Sequence, residues 1–142
     1  MFAFWWQFWA NYWLTAGHIS MPSNETLEKF MVRVEQNAHA EAIEFYAEGA
    51  SMRENQAAPR VGRDVLVANE RKVMAQARSV KSSCIRPVLV NGDNVVVRWV
   101  FEFTWRDGRA TRMEEIAYQR WENDRLIEIG RASCRERVYS SV

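Results

Sequence analysis

Glu115 is the side chain with most scope for proton chemistry. It sits in the run Thr111–Trp121, where Met113, Ala117, Gln119 and Trp121 share its parity. If that parity faces a core, a carboxyl group is buried among apolar side chains. Burial raises its pKa and suits it to act as a general acid or base. The opposite parity turns Ile116 and Tyr118 inward and leaves Glu115 to pair with an arginine at the surface. A second candidate is the polar segment Met52-Arg53-Glu54-Asn55-Gln56, which follows an apolar helix. A carboxylate beside a carboxamide, Glu54 and Asn55, can polarise a substrate oxygen or position a water. The plainer alternative is turn formation, which Asn favours. Tyr46, Trp99, Phe101 and Trp105 would give an enclosure an aromatic lining suited to a flat apolar ligand, or would simply form core. Asn69 and Gln119 are further candidate ligand contacts. His39 is expected to be solvated, and Cys84 to be a small buried hydrophobe.

The elements that must position these groups are legible in the hydrophobic pattern. Ser23 and Asn24, followed by Glu25 and Glu28, signal a helix start. Leu27, Phe30, Met31 and Val34 then fall on one helical face. A second helix is expected over about Ala38–Glu48, stopped by Gly49, with a short strand over Ala50–Glu54. Asn55–Gly62 reads as a loop. Asp64 is a plausible cap for a third helix over about Val65–Ala77. Asn69 and Glu70 lie between its apolar positions, which predicts that one of them faces inward.

From Val80 the chain reads as strands. Val80–Val90 ends at Asn91-Gly92, Val95–Trp105 ends at Asp107-Gly108, and Thr111–Trp121 ends at Glu122-Asn123-Asp124. Asn-Gly and Asp-Gly are strong hairpin signals, so an antiparallel meander is expected. Pro87 cannot donate to a ladder and predicts a bulge or an edge position. In the middle run, Val95, Val97, Trp99, Phe101, Phe103 and Trp105 alternate with a half-polar set. Six bulky side chains on one face need a cover, which the three helices can supply. Helices first and antiparallel strands after is the α+β pattern.

The chain has 142 residues and a formal charge of +1. Basic residues alternate with acidic ones rather than clustering, so nucleic acid is not an expected partner. With one cysteine outside the last fourteen residues there is no disulfide framework, and a cytoplasmic setting is expected. The lack of a Cys/His cluster argues against a zinc site. No motif calls for a metal, nucleotide, flavin or other cofactor.

Both ends stand apart. Residues 1–20, MFAFWWQFWANYWLTAGHIS, hold four of the seven tryptophans. They read as an extension that is not native, with Met21 the natural start, as an aromatic segment at a membrane interface, or as an ordered extension packed on the domain. The apolar run Phe2–Leu14 is shorter than the roughly 20 residues a bilayer span needs, so membrane insertion is not expected. At the other end, Ile129–Val138 resembles, on back-translation, a short-read sequencing adapter read in frame. On that reading residues 129–142 are an artefactual tail, and Arg131, Arg135, Arg137 and Cys134 are not to be assigned to chemistry. Setting the tail's three arginines and one glutamate aside leaves 16 basic against 17 acidic residues.

Tyr46-Ala47-Glu48-Gly49-Ala50, Gly62-Arg63-Asp64 and Trp121–Ile127, in this order of elements, resemble the SnoaL-like branch of the nuclear transport factor two-like superfamily. The resemblance covers residues 21–128. It implies a cone in which a strongly curved antiparallel sheet wraps three N-terminal helices, with a ligand pocket in the concavity. The family's last strand continues beyond Leu126-Ile127-Glu128. Here the adapter-like run stands in its place, so a truncated strand over Leu126–Ile129 is expected.

The resemblance implies a small-molecule-binding protein, either an enzyme or a dimeric module. Superfamily members include isomerases, cyclases, epoxide hydrolases, dehydratases and non-catalytic modules, so the fold alone does not choose a reaction. Ketosteroid isomerases use an aspartate base, and no aspartate lies within the long strands here. Limonene-type epoxide hydrolases place arginine and aspartate two apart on one strand, which Arg98-Trp99-Val100 does not match. The favoured expectation is cofactor-free acid/base chemistry on an apolar carbonyl-type compound, with Glu115 or Glu54 carrying the proton, in a homodimer formed through the sheet. The alternative is a non-catalytic dimeric module whose cone is only a core. An open cavity with a carboxylate at its base would favour the former, and a void-free cone the latter.

Overall fold

Ser23 caps the first helix of the structure, a computed structural model that describes residues 21–140. Its hydroxyl accepts from the Thr26 amide at 3.1 Å, and its own amide donates to Asp124 Oδ1 at 2.7 Å. That second bond ties the start of α1 (Asn24–Glu35) to the turn before the last strand. Leu27, Phe30, Met31 and Val34 are all buried on one face. Asn37, in the left-handed region at φ 61°, turns the chain into α2 (His39–Ala42) and a single 3-10 turn over Ile43–Phe45.

The second helix is therefore shorter than its pattern predicts. β1 (Tyr46–Glu54) begins four residues before the expected strand, and Gly49 lies inside it rather than ending a helix. Tertiary pairing overrides local preference here, because Tyr46 is already in register with Leu126 of the last strand. After the short β2 (Arg60–Val61), Gly62 at φ 102° precedes α3 (Arg63–Gln76). The cap position is thus Gly62 rather than Asp64.

Four long strands complete the fold: β3 (Ala77–Asn91), β4 (Asn94–Trp105), β5 (Arg109–Glu122) and β6 (Arg125–Ser140). They form a meander, and the sheet order is β2-β1-β6-β5-β4-β3. Gly92 and Gly108 take positive φ at the first two turns, and Asn123 and Asp124 do so at the third. That last pair is the backbone a two-residue primed hairpin requires. Pro87 falls within a register break between Ile85 and Leu89 on the edge strand β3. The curved sheet is mixed rather than wholly antiparallel, because β1 lies parallel to β6. A parallel pair follows from the connection: β1 reaches its neighbour only after the whole meander has returned.

The last strand is not truncated. β6 runs to Ser140 and stays paired with β5 as far as Arg109. Backbone ladders are indifferent to most side chains, and the Arg109–Ile116 stretch of β5 offers amides and carbonyls that an early end would leave as an open edge. Beyond Arg131 the strand is exposed, so this stretch adds pairing without adding core. Register shifts opposite Glu114/Glu115 and Arg120/Trp121 mark bulges in β6, which tighten local twist. Residues 1–20, including the aromatic extension, lie outside the described residues. Among the described residues, no helix is long and apolar enough to cross a membrane.

The core lies between α1 and the concave face of the sheet. Val95, Val97, Ala117, Trp121 and Leu126 are fully enclosed. Phe30 meets Trp121 edge to face, with ring centroids 5.7 Å apart. Trp121→Ala should therefore cost about 3–5 kcal/mol of stability, read as a lowered urea midpoint. A loss below about 1 kcal/mol, the range of well-tolerated volume changes, would mean that this ring is not the keystone of the core.

Candidate functional site

Strand alternation delivers the chemistry to the concave side. Glu115, Ala117, Gln119 and Trp121 of β5 are all buried, while Ile116 and Tyr118 are 41% and 45% exposed on the convex side. Of the two parities open to the sequence, this is the one that turns Glu115 inward. Facing it across the cone, α3 contributes Asn69 and the buried Glu70, so both residues of that pair reach the concavity rather than one.

Between them lies an open cavity of about 270 Å³, walled by α3, β4 and β5. It adjoins a small lobe of about 40 Å³ bordered by Tyr46, Trp99 and Gln119. His39, Glu70, Phe101, Glu115 and Arg131 border both parts. Ala117 leaves the room: a larger side chain at that central position of β5 would fill the lobe.

Eight of the nine side chains proposed from sequence border this space: Glu54, Asn55, Asn69, Phe101 and Glu115 the outer part, Tyr46, Trp99, Gln119 and again Glu115 the lobe. Trp105 does not. It lies near the far end of β4, stacks on Phe103 at 4.7 Å, and donates its indole N–H to Thr111 Oγ1 at 2.8 Å. The strand has by then run past the cavity, so inward parity alone does not bring Trp105 to it.

Three bordering groups were set aside or undervalued in sequence. Arg131 belongs to the adapter-like run, yet its side chain points into the cavity, pairing with Glu54 and, at 3.3 Å, with Glu70. Its register partner on β5 is Ala117, so position 131 faces inward whatever residue occupies it. Arg135 and Arg137 are exposed. His39 is not solvated but half-buried. Its Nε2 lies 2.9 Å from Ser82 Oγ, and Ser82 in turn donates to Asn37 Oδ1 at 2.9 Å. The third is Met113, on the parity of Glu115. The only signal that could have found His39 was its position beside a helix break.

Residues 27–129 match the SnoaL-like domain. The chain belongs to the SnoaL-like family. The matched region ends at Ile129, where the adapter-like run begins. No curated protein matches the chain. Among solved structures with this fold, one is the epoxide hydrolase/cyclase-like enzyme SalBIII of pyran ring formation in salinomycin. It is 12% identical, with a TM-score of 0.68 over 81% of this chain and 94% of that one. Another, from Mesorhizobium loti, is described as a SnoaL-like polyketide cyclase and is 20% identical, with a TM-score of 0.64 over 75% and 95% of the two chains. A third, from Catenulispora acidiphila, has a ketosteroid isomerase-like fold and was solved with trimethylamine. It is 12% identical, with a TM-score of 0.65 over 77% and 85%. At these identities the likeness is one of fold.

Within this SnoaL-like cone the carboxylates are not equivalent. Burial pushes Glu115 from an ordinary 4.5 up to about 7, with Arg131 opposing the rise and Glu54 and Glu70 adding to it. Burial also works on Glu54, but Arg131 and Arg60 more than offset it and hold that carboxyl below the usual range. Glu54 touches Arg60 at 3.0 Å as well as Arg131. It is a fixed negative charge, unsuited to carrying a proton near neutral pH. Burial lowers the His39 pKa, which favours a neutral ring. Asn55, at φ 49°, accepts the Ser133 amide N–H on its carboxamide oxygen at 3.1 Å, so it straps the β1 end to β6 as well as bordering the cavity. Among the described residues no cluster of His, Cys, Asp and Glu is arranged to hold a metal.

The Glu115 shift has a thermodynamic consequence. Between pH 4.5 and about 7 the unfolded chain has released this proton while the folded chain keeps it. Stability therefore falls as pH rises through that window, by up to about 3 kcal/mol for this one group. Glu115→Gln should flatten the slope when urea unfolding is measured from pH 4.5 to 8. An equally steep slope in the variant would assign the titration to another group.

Proposed function

We propose that this SnoaL-like protein binds a small apolar carbonyl compound in the cone and moves a proton on it without a cofactor. The reaction classes that fit are isomerisation, cyclisation, and hydration or dehydration. The observation that carries the reading is Glu115: a buried carboxyl poised near pH 7, bordering an open cavity among aromatic side chains. Near neutral pH such a group is partly ionised, so it can take a proton from carbon beside a carbonyl and return it elsewhere. Phe101 and Phe103 supply flat apolar walls to the cavity, Tyr46 and Trp99 wall the smaller lobe, and about 270 Å³, just under the usual range, suits a small ligand. Relatives of this fold described as a cyclase and as an epoxide hydrolase/cyclase-like enzyme lend the same reading support.

A non-catalytic module has less support, because a cone serving only as core has no need of an open cavity with an ionisable group at its base. The reading rests on residues between Tyr46 and Gln119. Its pH range depends also on Arg131, whose charge opposes the rise in the Glu115 pKa. We take residues 1–20, and the adapter-like run after Ile129, to be additions that are not native to the domain. Homodimerisation through the sheet is part of the proposal. Ile116 and Tyr118 are exposed on the convex face, where Tyr118 is in register with the half-buried Val96 of β4.

The test uses α-tetralone in heavy water, following exchange of the protons beside its carbonyl by NMR. The unaltered chain should accelerate exchange, and Glu115→Gln should reduce that acceleration by about a hundredfold or more while ketone affinity stays within about threefold, below the tenfold that 1.4 kcal/mol represents. No acceleration by the unaltered chain, or full activity in Glu115→Gln, would remove the acid/base assignment.

A further inference from the structure

Gln119 has a buried hydrogen-bonding group that no described residue satisfies. Its side chain is fully enclosed on β5, two residues from Trp121. Trp121 Nε1 lies 3.0 Å from Gln119 Oε1. An indole N–H can only donate, so the carboxamide oxygen must face it and the amide orientation is fixed. The NH2 end is thereby turned away from Trp121, and Nε2 meets no partner among the described residues. Buried donors are rarely left this way, because the unmade bond costs stability.

The surroundings say what would complete it. Gln119 borders the small lobe, whose volume of about 40 Å³ admits a water or the polar tip of a ligand but not a ring. Tyr46 borders the same lobe, and burial pushes its pKa up, so its hydroxyl stays neutral and able to donate. The group that fits against such donors is an acceptor. Glu70 and Glu115 also border the lobe, and Glu54 joins their network, three carboxyl groups against the two guanidinium groups of Arg131 and Arg60. An incoming carboxylate would add a fourth carboxyl, which disfavours an ionised acceptor.

We infer that Gln119 Nε2 is the docking point for a neutral carbonyl oxygen, so that the ligand enters oxygen first with its apolar body toward the mouth. This rests on the reading of the cone as a ligand site and adds its polarity and direction. Ala117, between Gln119 and Glu115 on one face of β5, keeps the floor low enough for the oxygen to pass. The proton-carrying carboxyl then lies beside the ligand's body rather than at its polar tip.

The experiment compares α-tetralone with tetralin, the same ring system without the oxygen, by calorimetric titration of the full chain. The ketone should bind about ten times more tightly, the worth of one good hydrogen bond. In Gln119→Met the preference should fall to within about twofold, below the tenfold step of 1.4 kcal/mol, while Arg135→Met, exposed on β6 outside the cavity, should retain it. Should Gln119→Met fail to fold, the side-chain NH2 resonances of Gln119 in the unaltered chain decide: they should move with the ketone and not with tetralin. Equal binding of the two compounds, no ketone binding, a preference that survives Gln119→Met, or one lost equally in Arg135→Met would overturn the inference. Proton exchange that persists alongside a preference independent of Gln119 would sink this inference alone. A Gln119-dependent preference without exchange would sink only the acid/base role of Glu115.

Discussion

The site depends on one constraint: β5 must present its odd-numbered side chains to the interior. Trp121 enforces this. It is fully buried against Phe30, and a one-residue slip would expel it, together with Ala117 and Gln119, to the convex face. The same slip would bring Ile116 and Tyr118 inward and leave Glu115 in water. Anchoring the apolar Trp121 thus forces an ionisable group six residues away into a low-dielectric enclosure. The desolvation of Glu115 is a consequence of strand geometry, not of a special local device.

That enclosure is electrostatically crowded, and its balance explains why the carboxylates divide in role. Burial alone would push each of them toward the neutral form. Arg131 and Arg60 flank Glu54 and outweigh its desolvation, whereas at Glu115 burial outweighs the more remote guanidinium. Arg131 itself resists the cost of burial because Glu70, Glu115 and Glu54 surround it and push its pKa up. Two carboxyl groups bordering one cavity thereby differ in protonation at neutral pH, with Glu54 ionised and Glu115 only partly so. Such a separation of pKa values is what assigns acid and base roles in a shared site.

Much of this was legible in the chain. The period of Leu27, Phe30, Met31 and Val34 located α1, and the alternation of Val95 to Phe103 gave β4 its inner face. The Asn-Gly and Asp-Gly turns fixed the meander. What escaped was set by long-range pairing. Nothing local distinguishes Tyr46–Gly49 from the end of a helix; it becomes strand because β6 arrives alongside it. The parallel β1–β6 contact, and with it the position of Glu54 next to residue 131, has no local signature. His39 looked like a solvated helix start because the hydroxyl that receives it, Ser82, is 43 residues away. Trp105 shows the converse error: its parity is inward, but an inward residue borders a cavity only where the cavity is.

At position 131 the adapter-like sequence and the place in the fold pull apart. The run from Ile129 resembles adapter sequence, yet β6 pairs Arg131 with Ala117, and both border the lobe. Inward orientation at 131 is a property of the ladder rather than of arginine. The charge there is a property of arginine. A neutral side chain at this point would leave Glu54, Glu70 and Glu115 facing one another with less compensation, and like charges in a shared site raise one another's pKa. Glu115 would then hold its proton to still higher pH, and Glu54 would lose one of the two cations that keep it ionised. The wall that carries Glu115 and Gln119 is thus set by β5, while the residue at 131 adjusts the pH at which that wall gives up its proton.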